Sequence, residues 1–286
     1  LIAAYNTEKQ PPTRLWAYTL NTYAKNNVTM RLFGGVIVAS SGGQIYRIDA
    51  RTGVLLKLYE LTSSLESHYT CMAIHKTLVI SNSTHRMVAV SRDRLKKVWK
   101  SSDLGDRFDC AEVVGNRLAV AVDGEVHILD LESGQTVFSE RFDGPRKAIT
   151  LLADEVTTPF QPLLYVGFCG KVYVIDINAQ KRLPAELQVS PDDTFGVSLA
   201  LHRGLLIASS GGVVTAFQTS DQSEAWFHQF GHETGYLFMT SLQVVRHDGR
   251  DIVLVGSNGY LLAVELKSGK ELWCTSLPRG GYAFVS

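Results

Sequence analysis

A repeat of about 42 residues is the feature of this sequence that most restricts its fold. The four tryptophans mark it, because Trp16, Trp99, Trp226 and Trp273 are separated by 83, 127 and 47 residues, close to two, three and one repeat lengths. Each Trp stands in the last of several short runs of β-branched, aliphatic and aromatic residues. Such runs, bounded by Gly, Asn, Asp or Ser, are typical of β-strands, and no helix of consequence is predicted. The chain is therefore predicted to be all-β, with each Trp covering the seam between neighbouring repeats.

Each full repeat contains four predicted strands, named A to D in chain order. The sequence contains seven C strands, seven D strands and six B strands, because it begins in a C strand and ends, at residues 282–286, in an A strand. A radial array closed by its own ends leaves few unpaired strand edges. We therefore predict a single domain, residues 1–286, that forms a seven-bladed β-propeller of four-stranded antiparallel blades, the last closed by both termini. An open solenoid, which needs capping repeats, is the alternative.

The predicted blade boundaries follow from the same strand count. The shared blade combines residues 1–20 and 280–286, and the others lie near residues 28–61, 68–104, 108–142, 147–189, 195–230 and 236–277. Longer inserts at residues 155–162 and 246–250 are predicted to be loops that extend one rim.

Three stretches carry the clearest turn motif, Asp/Glu-x-x-Thr/Ser-Gly: Ile45–Gly53, Val126–Gly134 and Gly256–Trp273. They resemble the PQQ-like, or quinoprotein alcohol dehydrogenase-like, propeller repeat. The resemblance covers nearly the whole chain and implies the fold. It implies little about chemistry, because similar repeats occur in quinone-dependent dehydrogenases, outer-membrane assembly factors and secreted fungal proteins.

The cysteines separate this chain from the dehydrogenases that it resembles. Those enzymes have an adjacent Cys-Cys disulfide over the quinone and a calcium site. Here Cys71, Cys110, Cys169 and Cys274 are far apart in the sequence, and no matching ligand set can be transferred. No quinone, other cofactor or metal is therefore expected.

Charge and hydropathy exclude several classes of partner. The 28 basic and 28 acidic residues balance, so the basic excess typical of nucleic-acid and anionic-membrane binding is missing. No apolar run reaches the 18 or so residues of a membrane span. The chain begins at Leu1 without a leader, so any leader is expected to have been removed. Because Asn27 and Asn82 begin glycosylation sequons, we expect a secreted or secretory-pathway glycoprotein.

A ligand site is predicted at the mouth of the axial channel, where propellers bind ligands between their A strands. Aligning the A strands gives one column of small residues, interpreted as packing: Thr29, Cys71, Cys110, Thr150, Ser198, Thr240 and Ser286. Neighbouring columns supply aromatic residues for ligand binding: Tyr69, Phe108, Tyr236, Phe238, Tyr282 and Phe284. Arg146 or Lys147 is predicted to offer a cation there, and His68 or Asp109 a proton acceptor. The alternative is that the rings fill the core between blades.

Three functions fit this pattern. The first is binding of a small apolar organic ligand in the aromatic pocket. The second is a cofactor-independent cyclase or pericyclase of hetero-Diels–Alder type, which needs positioning and modest electrostatic help. It rests on analogy with similar fungal propellers of natural-product biosynthesis, in polyketide–terpenoid pathways. The third is a scaffold whose rim loops bind a protein or glycan partner.

Overall fold

The computed structural model describes residues 1–21, 28–61, 70–144, 148–154, 161–191, 195–230, 240–257 and 259–276. These residues form β-strands joined by turns and short loops, and among them there is no helix. The strands of the first half are β1 (Ile2–Asn6), β2 (Thr13–Tyr18), β3 (Thr29–Phe33), β4 (Val36–Ser41), β5 (Gln44–Asp49), β6 (Leu55–Glu60), β7 (Met72–His75), β8 (Leu78–Ser83), β9 (Arg86–Ser91), β10 (Lys97–Lys100), β11 (Phe108–Val114), β12 (Arg117–Val122), β13 (Glu125–Asp130) and β14 (Thr136–Arg141). Those of the second half are β15 (Thr150–Asp154), β16 (Leu163–Phe168), β17 (Lys171–Asp176), β18 (Lys181–Gln188), β19 (Ser198–His202), β20 (Leu205–Ser210), β21 (Val213–Gln218), β22 (Glu224–Gln229), β23 (Thr240–His247), β24 (Arg250–Ser257), β25 (Tyr260–Glu265) and β26 (Glu271–Ser276).

The strands pair as consecutive antiparallel meanders. Six sheets have four strands each, β3–β6, β7–β10, β11–β14, β15–β18, β19–β22 and β23–β26, and strands β1 and β2 form a two-stranded sheet. The predicted all-β fold of four-stranded antiparallel sheets is thereby confirmed. Strands β1 and β2 are the C and D strands of the first sheet, as predicted, whereas its predicted A strand at residues 282–286 lies outside the described residues.

The chain divides into two compact units. The first comprises Leu1–Asp123 with Leu129–Thr136, and the second comprises Gly124–Ile128 with Val137–Ser286. In each unit, apolar side chains of neighbouring sheets form the core. One cluster of the first unit contains Ile80, Trp99 and Leu118, and one of the second contains Tyr165 and Leu206.

Middle strands and outer strands differ in burial. Strand β16 is buried at all six positions, whereas the outer strand β22 is mostly exposed and buries Trp226. A strand covered on both faces needs apolar side chains at successive positions, so it appears in the sequence as a continuous apolar run. The repeated runs of Val, Ile, Leu and Ala therefore encode the B and C strands.

Three tryptophans join neighbouring sheets in the same way. The indole N–H of Trp16 donates to the Ala50 carbonyl (2.9 Å), that of Trp99 to Leu131 (2.7 Å) and that of Trp226 to Leu266 (2.7 Å). Each acceptor belongs to the C–D turn of the next sheet. The ring also lies against the glycine that ends that turn, namely Gly53, Gly134 or Gly269. A Cβ at Gly269 would lie 2.7 Å from the Trp226 ring, and its φ of +70° also favours glycine.

Trp273 does not follow this arrangement. Its side chain is 43% exposed, whereas Trp99 and Trp226 are 7% and 8% exposed. The expectation that this ring is covered at a seam stays a prediction, because residues 277–286, which follow it, lie outside the described residues.

The Asp-x-x-Thr/Ser-Gly motif forms the C–D turn itself. Asp49 accepts hydrogen bonds from the backbone N–H groups of Arg51 (3.1 Å) and Thr52 (2.7 Å) and from the Thr52 hydroxyl (2.7 Å). The hydrogen bonds from Thr52 lower the pKa of Asp49, because they stabilise its ionised form. Asp130 receives the equivalent bonds in the turn that ends at Gly134. The motif carboxylate therefore holds the turn in place through its Oδ1 atom.

Candidate functional site

Most of the predicted axial site lies outside the described residues. These positions are His68, Tyr69, Arg146, Lys147, Tyr236, Phe238, Tyr282 and Phe284, together with the sequon residue Asn27. The aromatic pocket at the channel mouth therefore stays a prediction. The structure does describe Phe108, Asp109 and Asn82.

Phe108 lies in the core of the first unit. It is 2% exposed and belongs to the cluster that contains Cys71, Trp99 and Leu118. This location agrees with the alternative that the aromatic column fills the core between blades.

Asp109 lies beside a cation and near a buried thiol. Its Oδ1 is 3.5 Å from Arg107 Nε. Burial, with a smaller contribution from the charge of Asp109, raises the pKa of Cys71 to about 12. Cys71 is therefore a neutral thiol at physiological pH and is not poised as a nucleophile. The role of Asp109 as a proton acceptor stays a prediction.

Asn82 is buried on the middle strand β8. Its Oδ1 accepts a hydrogen bond from the backbone N–H of Cys71 (2.9 Å), and its side chain is almost fully enclosed. A glycan on this amide would have to displace that bond and the surrounding core. The structure thus argues against glycosylation at Asn82, because this residue serves the pairing of the A and B strands.

The column of small A-strand residues does more than fill space. The Thr29 hydroxyl donates to the carbonyl of Thr70 (3.0 Å) in the first unit. In the second unit, Thr150 donates to the Val197 carbonyl and Ser198 to the Thr240 carbonyl. These bonds link the A strands of neighbouring sheets, so the Ser and Thr residues of this column stabilise the sheet-to-sheet contacts.

A groove of about 360 Å³ lies in the second unit at the A–B and C–D turns of two neighbouring sheets. We call it the cationic groove, and it is lined by Arg203, Leu205, Arg250, Asp251, Glu265, Leu266 and Lys267. Its shape depends on the hairpin β23–β24, whose strands each have eight residues, whereas the other B strands have six. The insert at 246–250, predicted as a loop, is thus part of a hairpin whose turn is Asp248 and Gly249.

The extended hairpin brings Arg250 and Asp251 to the groove. In the register of the sheets, Ile252 pairs with Glu265 as Leu205 pairs with Gln218. Arg250 and Asp251 therefore precede the position at which the B strand of the neighbouring sheet begins. These two residues supply one wall of the groove.

One ion pair links Arg203 to Asp251, which supplies part of one wall. Arg203 Nη1 lies 2.6 Å from Asp251 Oδ2, and His202 Nε2 is 3.4 Å from the same oxygen. The Arg203 side chain is still 61% exposed, so this pair adds little to stability but orients the guanidinium. The second carboxylate of the lining, Glu265, accepts the hydroxyl hydrogen bond of Ser268.

Two cations of the groove have no such partner. Among the described residues, no carboxylate lies within 4.0 Å of the charged nitrogens of Arg250 or Lys267. Both residues are exposed. Leu205 and the buried Leu266 add apolar surface to the lining, which we call the floor of the groove, and the Leu266 carbonyl accepts the hydrogen bond from Trp226. The groove can therefore offer two cations and an apolar contact to a ligand.

The first unit contains a smaller groove, of about 190 Å³, whose arginines contact other residues of the same lining. It is lined by Phe33, Gly34, Val36, Val38, Arg47, Arg92 and Asp93. The Arg92 guanidinium lies 4.1 Å from the centroid of the Phe33 ring, and Arg47 donates to the backbone carbonyl of Asp93. The cations of this second groove are thus engaged within the protein.

The sequence predicts a site where the A strands begin, whereas the cationic groove lies at the A–B and C–D turns. The groove was therefore not predicted. The signal available was the extra length of the hairpin β23–β24 together with its two arginines, Arg246 and Arg250.

The described residues show neither a metal-binding cluster nor a membrane-spanning helix. Within the described ranges, no cluster of three or more His, Cys, Asp or Glu residues is placed to hold a metal ion. Nor do those ranges contain a helix long and apolar enough to cross a membrane.

Comparison with known proteins places the fold. A family model described as outer membrane protein assembly factor BamB matches residues 11–228. Among solved structures, BamB from Moraxella catarrhalis is similar with a TM-score of 0.64 and 19% identity, over 94% of this chain and 81% of that one. The computationally designed Ika8 protein is similar with a TM-score of 0.62 and 15% identity, over 93% of this chain and 92% of that one. A search of curated proteins gave no match.

At these identities the solved structures establish the fold alone. The family match is a separate finding, since it covers more than half of the chain and includes the turn motifs that end at Gly53 and Gly134. It also confirms the resemblance to PQQ-like repeats. The chain is a β-propeller that belongs to the PQQ-like family of the outer membrane protein assembly factor BamB.

Proposed function

We propose that this protein is a scaffold that binds a protein partner through the turns at the ends of its sheets. The observation that carries the proposal is the cationic groove, because it presents Arg250 and Lys267 on exposed turns without an ionic partner among the described residues. The family match supports it, since the matched family is described as an assembly factor. Turns on a rigid sheet scaffold are also where binding residues concentrate.

The other functions expected from the sequence stay hypotheses about different residues. A small-molecule pocket or a cyclase site would use the aromatic positions Tyr69, Tyr236, Phe238, Tyr282 and Phe284. A secretory location, with a glycan at Asn27, likewise stays a prediction. Native mass spectrometry of the protein purified from its own source tests the first two, because either an organic ligand or a substrate would add a discrete mass.

Site-specific photo-crosslinking tests the scaffold proposal. Benzoylphenylalanine is placed at Lys267 in the full chain, which is produced in its own cells and irradiated. Lys57, an exposed cation on the outer strand β6, provides the matched control position. We expect a discrete protein adduct at Lys267 that is absent at Lys57.

The scaffold proposal and the two small-molecule hypotheses predict different results in these experiments. A protein adduct at Lys267, with no co-purifying small molecule, supports the scaffold. Equal labelling at Lys267 and Lys57, or no adduct at either position, contradicts it. A stoichiometric organic ligand together with unlabelled turns favours the axial pocket instead.

A further inference from the structure

We infer that the cationic groove takes an acidic segment of the partner, in which carboxylate side chains flank an apolar side chain. The inference rests on the proposed function, because it names the chemistry of the partner for that same site. Its first basis is charge. The lining contains three cations, Arg203, Arg250 and Lys267, against the two carboxylates of Asp251 and Glu265.

The carboxylates of the lining are already engaged. Asp251 pairs with Arg203 at 2.6 Å, and Glu265 accepts the Ser268 hydroxyl. Arg250 and Lys267 are left to face solvent, with no ion pair to any described carboxylate. An arriving carboxylate would therefore add an ion pair at each cation without having to break an existing one.

The floor of the groove requires an apolar group as well. Leu205 and Leu266 line the groove together with the charged residues, and a ligand made of charge alone would leave their apolar surface in contact with water. A Leu or Phe side chain between two acidic residues matches this arrangement. The volume, about 360 Å³, lies at the lower end of the ~300–1,000 Å³ typical of ligand sites, which fits one or two side chains.

The exposure of the walls favours a peptide segment over a free organic acid. A small molecule in a dedicated pocket has most of its surface buried. Here the walls are hairpin turns, and the Arg203 side chain is 61% exposed. A segment of a larger partner tolerates such a one-sided contact, because contacts outside the groove contribute the rest of its affinity.

The smaller groove of the first unit provides an internal comparison. There Arg92 stacks on Phe33, and Arg47 is bonded to the Asp93 backbone. Its arginines would have to give up these contacts to receive a carboxylate. We therefore assign the acidic segment to the cationic groove alone.

Fluorescence anisotropy with a defined probe tests the inference. The probe is a fluorescein-labelled, amidated peptide, Gly-Glu-Leu-Glu-Leu-Glu-Gly, and the control peptide has Gln at each Glu position. We expect the acidic peptide to bind the full chain, with an affinity that weakens as NaCl is raised. The double variant Arg250→Glu with Lys267→Glu should weaken binding at least about tenfold. The double variant Arg14→Glu with Lys57→Glu makes the same charge change on exposed strands elsewhere and should change it less than about twofold.

Four results would overturn the inference. They are absence of binding, equal tightness of the Gln peptide, equal losses in the two double variants, and displacement of the probe by an equal concentration of succinate, which would identify a small-carboxylate site. Thermal melting of both variants shows that a loss of binding does not reflect unfolding. If Lys267 crosslinks to a partner while the probe does not bind, the scaffold stands and the acidic-segment inference fails. If the probe binds through the groove while no partner crosslinks, the inferred chemistry stands and the scaffold fails.

Discussion

Trp226 and Trp273 occupy the same position in adjacent sheets and have different surroundings. Trp226 lies opposite Ala216 and Trp273 opposite Ala263 in the strand register. Trp226 is 8% exposed and donates to the Leu266 carbonyl, whereas Trp273 is 43% exposed. The comparison shows that the same position of the repeat holds a buried, hydrogen-bonded ring in one sheet and a partly exposed ring in the next.

Removal of the buried ring should have the largest effect. Trp226→Ala is expected to lower the free energy of unfolding by about 3–5 kcal/mol, because it leaves a cavity and removes the partner of the Leu266 carbonyl. Urea denaturation followed by circular dichroism measures this. A loss under about 1 kcal/mol would show that the seam contributes little and would remove the distinction from Trp273.

Substitution of the glycine that faces the ring should cause the next largest loss of stability. Gly269→Ala is expected to cost about 2–4 kcal/mol, because its Cβ would meet the Trp226 ring and its φ is +70°. Gly249→Ala is the matched control, since its φ is +76° with no atom within 4 Å of a Cβ, and it should cost about 1–2 kcal/mol.

A double variant isolates the contact between glycine and ring. In a Trp226→Ala background, Gly269→Ala should cost only as much as Gly249→Ala does, because the steric conflict has been removed. Additive losses in the double variant would mean that the ring does not explain the need for glycine at position 269.

Truncation of the exposed ring should have a smaller effect. Trp273→Ala is expected to lower stability by about 1 kcal/mol or less, because a half-exposed ring loses little apolar burial. The sequence alone predicts a loss of about 3–5 kcal/mol for a ring covered at a seam. Denaturation showing that larger loss would mean that the ring is covered in solution, and the contrast with Trp226 would disappear.

The smallest effect is expected in the cationic groove. Arg250→Ala should leave the free energy of unfolding within about 0.5 kcal/mol of wild type, because the exposed side chain makes no ion pair to a described residue. Thermal melting checks this. A clear destabilisation would show that Arg250 supports the seam itself and is not free for a ligand.

Much of the fold could be predicted because strand burial repeats with the sequence. The buried middle strands appear as short apolar runs, and their spacing gave six four-stranded sheets and the C and D strands of the first. A pairing rule was also visible in the sequence but was missed. Where a C–D turn ends in Gly53, Gly134 or Gly269, the D strand of the preceding sheet carries a Trp.

Three other turns agree with this rule. Leu95, Gln180 and Gln222 occupy the glycine position with positive φ, and the D strands before them, β6, β14 and β18, contain no Trp. A Cβ at that position occupies the space of the ring. At these three seams, Trp and Gly are therefore one structural feature divided between two repeats.

The candidate site was less predictable, because it depends on contacts between sheets. Arg203 and Asp251 are 48 positions apart, and nothing in their local sequence indicates that they pair. Phe108 illustrates the opposite difficulty. An inward-facing aromatic residue fits a pocket wall and a core equally well by pattern, and the packing around its ring favours the core.

The double role of Leu266 has a spectroscopic consequence. Its carbonyl receives the indole hydrogen of Trp226, and its side chain forms the floor of the cationic groove. A molecule that settles on this floor changes the surroundings of a buried, hydrogen-bonded indole. The emission of Trp226 is therefore expected to respond to groove occupancy, above a background from the other three tryptophans, which lie outside the lining of the groove.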